Sequence, residues 1–318
     1  MKVFDVVALG ELLIDFTENG TSAQDNPLFE ANPGGAPCNV LAMLSKLGHS
    51  TAFVGKVGED FFGTQLKSAI EEVGICADYL RMDKDVHTTL ALVHTFPDGD
   101  RDFSFYRNPG ADMMLAESEI PEDLIAGAKI FHFGTLSMTH EGVRAATKKA
   151  LDIAKANNVV ISFDPNLRPP LWDSLDEAKE QVMCGLQYCD ILKISDNEIT
   201  WLTGEEDYTK GAEWIKTRYP QIKLILVSMG KDGSRAYYNG AMVETPAKLN
   251  EKTIETTGAG DTFCGCVLHY VLEHGLEGLT EENLKEMLRF ANSAASLITT
   301  KKGALRVMPE REEIVQNM

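Results

Sequence analysis

At 318 residues, 44% of them hydrophobic and 25% charged, the chain is long enough for one large domain with a small accessory piece, and its composition is that of a globular protein. A formal net charge of −18 excludes nucleic acid as a partner, because a phosphate backbone needs basic stripes, and it leaves any anionic ligand to local dipoles and a few placed cations. No apolar run approaches the roughly 18–20 residues that span a bilayer, so no membrane partner is expected.

In chain order, "VFDVVALG" (3–10) reads as a first strand, with acids at Asp5, Glu11 and Asp15 and no small-residue cleavage site, and so not as a signal peptide. The polar stretch 12–33 has no helical period. "CNVLAMLSKLG" (38–48) does, and "TAFVGKVG" (51–58) is again a strand. Residues 88–107 alternate on both sides of Pro97-Asp98-Gly99-Asp100, which predicts a hairpin. Strands over 129–134, 159–166, 191–195 and 223–230 then alternate with helical spacing over 140–158, 174–190 and 209–220. A second hairpin, 234–244, turns at Asn239-Gly240. Near-continuous apolar strands alternating with helices predict an α/β fold, a mostly parallel sheet covered on both faces, with ligands at the carboxyl ends of its strands. The whole of 1–318 is expected to be one domain, with 12–33 and 86–112 forming a small antiparallel β lid over that edge. The cysteines Cys38, Cys76, Cys184, Cys189, Cys264 and Cys266 lack paired zinc spacing and read as reduced thiols of a cytoplasmic protein.

Two glycine-rich stretches carry chemistry. In "ETTGAGDTFCG" (255–265), glycines before a helix let backbone N–H groups converge on an anion, with the helix dipole adding to the attraction. Asp261 is there either as a functional acid or as an acid that the dipole favours at a helix start. The loop is no Walker A motif, since Gly230-Lys231-Asp232 fails at its third position, and no dinucleotide fingerprint follows the first strand. In "NPGGAPCNVLAMLSKLG" (32–48), Gly34 and Gly35 allow close backbone approach and Asn39 projects from the first turn. That stretch is either a tight turn into a helix or, with Asp15, a set of carboxylate and amide ligands for sugar-like hydroxyls.

"GGAPCNVLAMLSKLGHSTAFVGKVGEDFFG" (34–63) resembles the first signature of the PfkB carbohydrate kinase family, and "TTGAGDTFCG" resembles its second. Between them "FYRNPGADMML", "FDPNLRPPLW" and "KISDNEITWLTG" are similar to the fructokinases of that family, in order and over the whole chain. The resemblance implies a ribokinase-like three-layer α/β/α fold that uses ATP and Mg²⁺ on a sugar. By the same resemblance Asp261 is the base, the N–H groups of Gly258, Ala259 and Gly260 are the anion hole, and Arg168 meets phosphate oxygens. Asp15, Gly34, Gly35 and Asn39 bind the sugar. Arg107 either reaches the sugar too or is an exposed lid arginine. Lys193, Ser228, Gly230 and Gly233 approach the nucleotide, and Asn292, Gly303 and Ala304 wall the adenine. Glu198 organises Mg²⁺ through water or is an ordinary acid at a helix start. Ser195 departs from the family's Asn-x-x-Glu motif. Glu255 departs too, standing where many relatives carry an aspartate that helps to hold K⁺, so activation by K⁺ is expected to be weak or absent.

The expected reaction is phosphorylation of D-fructose to fructose 6-phosphate. The alternatives are 2-keto-3-deoxygluconate kinase, aminoimidazole riboside kinase, ribokinase and, in another class, a sugar sensor on a kinase fold. A homodimer through the lid is a further expectation.

Overall fold

The structure is a computed structural model that describes residues 3–95 and 101–318; the Pro97–Asp100 turn of the first hairpin lies outside the described residues. Ten strands form the main sheet: β1 (Val6–Leu9), β4 (Thr51–Gly58), β5 (Ile75–Cys76), β6 (Leu80–Asp83), β9 (Ile130–Gly134), β10 (Val160–Asp164), β11 (Ile191–Ser195), β12 (Leu224–Ser228), β13 (Ser234–Tyr238) and β14 (Ala241–Thr245). Their order is β14-β13-β12-β11-β10-β9-β1-β4-β5, with β6 on β4 beyond β5. Every pairing from β12 to β6 is parallel, and the antiparallel β13–β14 hairpin closes the far edge. Its turn is Asn239-Gly240, with φ of 48° and 82°, the left-handed pair that a two-residue hairpin needs.

Side chains along the strands alternate between two cores. On β1, Val6 and Ala8 face one core, while Val7 and Leu9 face the other. The first core is covered by α1 (Ala36–Lys46), α2 (Phe61–Glu72), α8 (Ala259–His274), α9 (Glu281–Ile298) and α10 (Arg311–Asn317). The second lies under α3 (Glu122–Ala126), α4 (Glu141–Ala156), α5 (Leu175–Leu186), α6 (Asp196–Thr203) and α7 (Tyr208–Arg218). This is a three-layer α/β/α arrangement, and no helix among the described residues is long and apolar enough to cross a membrane.

The lid is a separate sheet of β2 (Leu13–Thr21), β3 (Pro27–Gly34), β7 (Leu90–Thr95) and β8 (Arg101–Tyr106), in the order β3-β2-β7-β8. It consists of two antiparallel hairpins laid side by side, and the pairing that joins them, β2 to β7, is parallel. Only Gly10, Glu11 and Leu12 separate β1 from β2, and only Gly35 separates β3 from α1, so the lid is rooted directly in the site below it.

Helices α1 and α8 run side by side in the same direction. Asn39 of α1 bonds Asp261 of α8. One turn further along both helices, a Cβ on Gly265 would fall 2.7 Å from Met43 Cβ and 3.0 Å from the Val40 carbonyl oxygen, so the helices approach closely because residue 265 has no side chain.

Candidate active site

Two cavities open at the carboxyl edge of the sheet, one on each side of the 256–260 loop. The first, about 300 Å³, lies under the lid and is lined by Glu11, Asp15, Gly35, Asn39, Arg168, Lys193 and Asp261. The second, about 350 Å³, is more apolar and is lined by Ser228, Gly230, Gly233, Phe263, Asn292 and Ala295. Thr256 and Gly260 belong to both walls.

Between them α8 begins. Gly258 caps the helix in the left-handed region, φ 74°, and a Cβ there would meet Ala304 Cβ at 2.6 Å. The Ala259 N–H donates to the Thr256 carbonyl at 3.2 Å and so is turned inward, which corrects the expectation that it faces an anion. The N–H groups of Gly258, Gly260 and Asp261 find no acceptor among the described residues and lie at the positive end of the helix dipole. Lys193 adds a full charge there, since a Cβ on Gly260 would lie 3.2 Å from its Nζ.

Asp261 Oδ2 accepts from Asn39 Nδ2 at 2.8 Å. Burial pushes the Asp261 carboxyl up, while the Asn39 bond and the charges of Lys193 and Arg168 pull it down, and burial prevails. Asn39 was expected to bind a sugar hydroxyl with its amide; its NH₂ is engaged by Asp261, and its buried Oδ1 is the atom with no protein partner. Asp15 and Gly34 are adjacent, for a Cβ on Gly34 would fall 2.2 Å from Asp15 Oδ2.

Lys193 Nζ pairs with Asp164 Oδ2 at 2.9 Å, both groups being buried. Burial alone would lower the lysine, but the Asp164 and Glu198 carboxylates outweigh it and keep the ammonium protonated. Asp164 Oδ1 has no hydrogen-bond partner among the described residues. Arg168 donates from Nη1 to Asn166 Oδ1 at 2.8 Å, which fixes its guanidinium at the cavity wall.

Glu11 was not singled out from the sequence as a site residue, yet it is 4% exposed and lines the first cavity. Its Oε1 accepts from the Ala36 N–H at 2.8 Å, serving as the acid that the first turn of α1 lacks. Burial raises its carboxyl to about 7, with hydrogen bonds from its own backbone and from Ala36 opposing. The available signal was its position two residues past a buried strand.

Two further expectations are corrected, on Arg107 and on Gly303 with Ala304, while Glu198 stands as the acid at a helix start. Arg107 neither lines the cavity nor lies exposed on the lid. It is 7% exposed, and donates to Asp112 Oδ2 from Nε at 2.8 Å and Nη2 at 2.7 Å, to Thr139 Oγ1 and to the Leu136 carbonyl. Glu198 uses both oxygens inside the protein, Oε2 on the Ser195 N–H and hydroxyl in a capping box and Oε1 on the Leu167 N–H, so it braces the loop that carries Arg168. Gly303 and Ala304 do not wall the second cavity. They pack under the 255–258 segment, where the Gly303 N–H donates to Glu255 Oε1 at 2.7 Å. Asn292 does line the second cavity, and it also fastens the chain after β14, with Nδ2 donating to the carbonyls of Thr245 and Pro246 and Oδ1 accepting from Ser234.

A family model described as pfkB family carbohydrate kinase matches residues 3–311. The chain is 42% identical over 313 residues to Fructokinase-2 of Solanum habrochaites, covering 97% of this chain and 94% of that protein. A crystal structure of fructokinase with bound ATP from Xylella fastidiosa superposes with a TM-score of 0.89 at 28% identity, over 99% of this chain and 98% of that one. A fructokinase double mutant from Vibrio cholerae O395 in a form with fructose, ADP and potassium ion bound gives a TM-score of 0.88 at 27% identity, over 99% of both chains.

Proposed function

This chain belongs to the pfkB family of carbohydrate kinases, and from that premise we propose that it transfers the γ-phosphoryl group of ATP to the primary hydroxyl of D-fructose, giving fructose 6-phosphate and ADP. The observation that carries this reading is the position of Asp261. It lies at the first turn of α8, at the wall between a polar cavity under the lid and a more apolar one beside β12. The sugar occupies the first cavity, oriented by Asp15, by Asn39 Oδ1 and by the backbone around Gly34 and Gly35. The nucleotide occupies the second, between Ser228, Gly230 and Gly233 on one side and Asn292 on the other, and its terminal phosphate reaches over Gly260.

Asp261 takes the proton of the attacking hydroxyl as the oxygen–phosphorus bond forms in line with the leaving ADP. The N–H groups of Gly258, Gly260 and Asp261, with Lys193 and Arg168, hold the equatorial oxygens as charge builds there. An acid beside the phosphate is tolerated because it is directed at the hydroxyl and is already bonded to Asn39. Mg²⁺ bound with the nucleotide would neutralise phosphate charge, and Asp164, whose Oδ1 accepts no hydrogen bond among the described residues, would hold the ion or one of its waters. Glu198 braces the loop that carries Arg168 through both of its oxygens. With Glu255 Oε1 held by the Gly303 N–H, K⁺ contributes little.

The carboxylate of an acid substrate such as 2-keto-3-deoxygluconate would need a cation of its own: Arg107 is turned away toward Asp112, and Arg168 and Lys193 at the cavity wall are given to the phosphoryl group in this reading. A coupled ADP-release assay over fructose, ribose, 2-keto-3-deoxygluconate and an aminoimidazole riboside tests the proposal. Fructose should give the highest kcat/KM; a higher value on any other sugar, or no ADP release at all, would overturn it.

A further inference from the structure

The contact between α1 and α8 that begins at Asn39 and Asp261 and tightens at Met43 and Gly265 has a third station. His269, two turns beyond Asp261 on the same face of α8, meets His49 from the turn that follows α1, with His49 Nε2 2.7 Å from His269 Nδ1. Glu273 is one turn further along α8, so His269 and Glu273 stand at i and i+4 on one face. The two ring nitrogens and a Glu273 carboxylate oxygen all lie within 4.8 Å of one another. His269 is 4% exposed, His49 half-buried and Glu273 exposed, so the group opens to solvent on one side only.

We propose that His49, His269 and Glu273 form a binding site for a borderline divalent transition metal, Zn²⁺ in the first place, that staples the end of α1 to the middle of α8. Two imidazoles and one carboxylate match the donors that Zn²⁺ takes, and a water completes four ligands. Two nitrogen donors discriminate against Mg²⁺ and Ca²⁺, which take oxygen. Ligand atoms around a tetrahedral ion at roughly 2.0–2.2 Å are spaced at somewhat over 3 Å, so the two rings need only part slightly. In the metal-free pair one of the two facing nitrogens carries the proton of their hydrogen bond, and that ring changes tautomer on binding, so that His49 ligates through Nε2 with its proton on Nδ1, His269 through Nδ1 with its proton on Nε2, and no net proton is released. Burial helps, holding both imidazoles below the usual histidine range, His269 at about 4. Asp5, the next carboxylate, is tied to Ser50 and Lys129 and is not a fourth ligand.

The site differs from that of the nucleotide's Mg²⁺ in position and in donor chemistry. His269 is eight residues along α8 from Asp261, about 12 Å at 1.5 Å per residue. Both ends of the interface are gripped by one polar contact, and the metal would fix the far one.

The experiment is titration of chelator-stripped full-length protein with Zn²⁺ by calorimetry and with Co²⁺ by visible absorption, in millimolar Mg²⁺, on the parent chain and on His49→Ala, Glu273→Ala and Cys76→Ser/Cys184→Ser. His49→Ala and Glu273→Ala alter residues at the open side of the cluster, and the melting temperature of each variant without metal checks that it folds. The expected result is one equivalent of Zn²⁺, an intense Co²⁺ band typical of low coordination number, and a rise in melting temperature with Zn²⁺. All three should be lost in His49→Ala and the affinity should fall at least about tenfold in Glu273→Ala, while the cysteine variant behaves as the parent. No stoichiometric binding, equal binding by parent and His49→Ala, or loss of the band in the cysteine variant would each overturn the site and leave a plain imidazole–imidazole hydrogen bond.

Discussion

Asp261 stands where burial and its neighbours act in opposite senses, burial raising its carboxyl and Asn39, Lys193 and Arg168 lowering it. A carboxylate drawn upward is the better proton acceptor at neutral pH. Asp261→Asn keeps the shape and the contact with Asn39 but cannot take a proton. Its kcat should fall by about 10²–10⁴-fold, while calorimetry still shows sugar and nucleotide binding; near-normal turnover would remove Asp261 from the role. Glu11 makes a prediction in stability instead. Its carboxyl is at about 7 in the folded chain against 4.5 when unperturbed, so between those values the folded state binds the extra proton. Stability contributed by that proton is full below about 4.5 and is lost as pH rises toward 7, at on the order of 1 kcal/mol per pH unit. The urea midpoint of Glu11→Gln should therefore vary less between pH 5 and 7 than that of the parent, and parallel curves would assign the titration elsewhere. For Glu255, the bond to Gly303 leads to similar initial rates in K⁺, Na⁺ and Tris buffers at fixed Mg·ATP, and a large stimulation by K⁺ would contradict it. The glycine–acid motif was legible at this scale because it is contiguous. What Asn39 holds, what Arg107 faces and that Glu198 reaches Leu167 were not, because each depends on a partner brought in by folding. Asn39 and Asp261 are 222 residues apart.

Between elements, the close approach of α1 and α8 decides whether Asn39 reaches Asp261. Gly265→Ala adds a methyl 2.7 Å from Met43 Cβ and 3.0 Å from the Val40 carbonyl, and neither a Cβ nor a backbone oxygen can swing aside. The helices must separate by a few tenths of an ångström or more, which overpacking of this kind charges at about 1–3 kcal/mol. Gly265→Ala should thus lower both the denaturation midpoint and kcat, with KM for ATP less affected. A variant that loses stability but keeps kcat would show that the acid needs no such positioning. Strands and helices were legible from period and turn chemistry. β11 coincides with its sequence range, and Asn239-Gly240 turns as its residues require. The glycine in "FCGCV" gave no hint of its role, since sequence does not show which helix it will face. The lid's parallel β2–β7 pairing was equally invisible, because it joins segments some seventy residues apart.

At the scale of the whole molecule, alternation of strands and helices was enough to imply three layers, and the position of the site followed from the carboxyl edge of the sheet. What the sequence left open was how the lid is attached. The Gly10–Leu12 link below it is buried, with Glu11 bonded to the Ala36 N–H, and a Cβ on Gly10 would fall 2.5 Å from Pro37 Cγ. The link is a weld rather than a hinge, and burial along β2 fades from Leu13 outward to Thr21. Amide hydrogen exchange should register this as a gradient within one strand: slow at Leu13 to Phe16, where opening requires disruption of the core, and fast from Glu18 to Thr21. Uniform exchange along β2 would mean that the lid opens as one body.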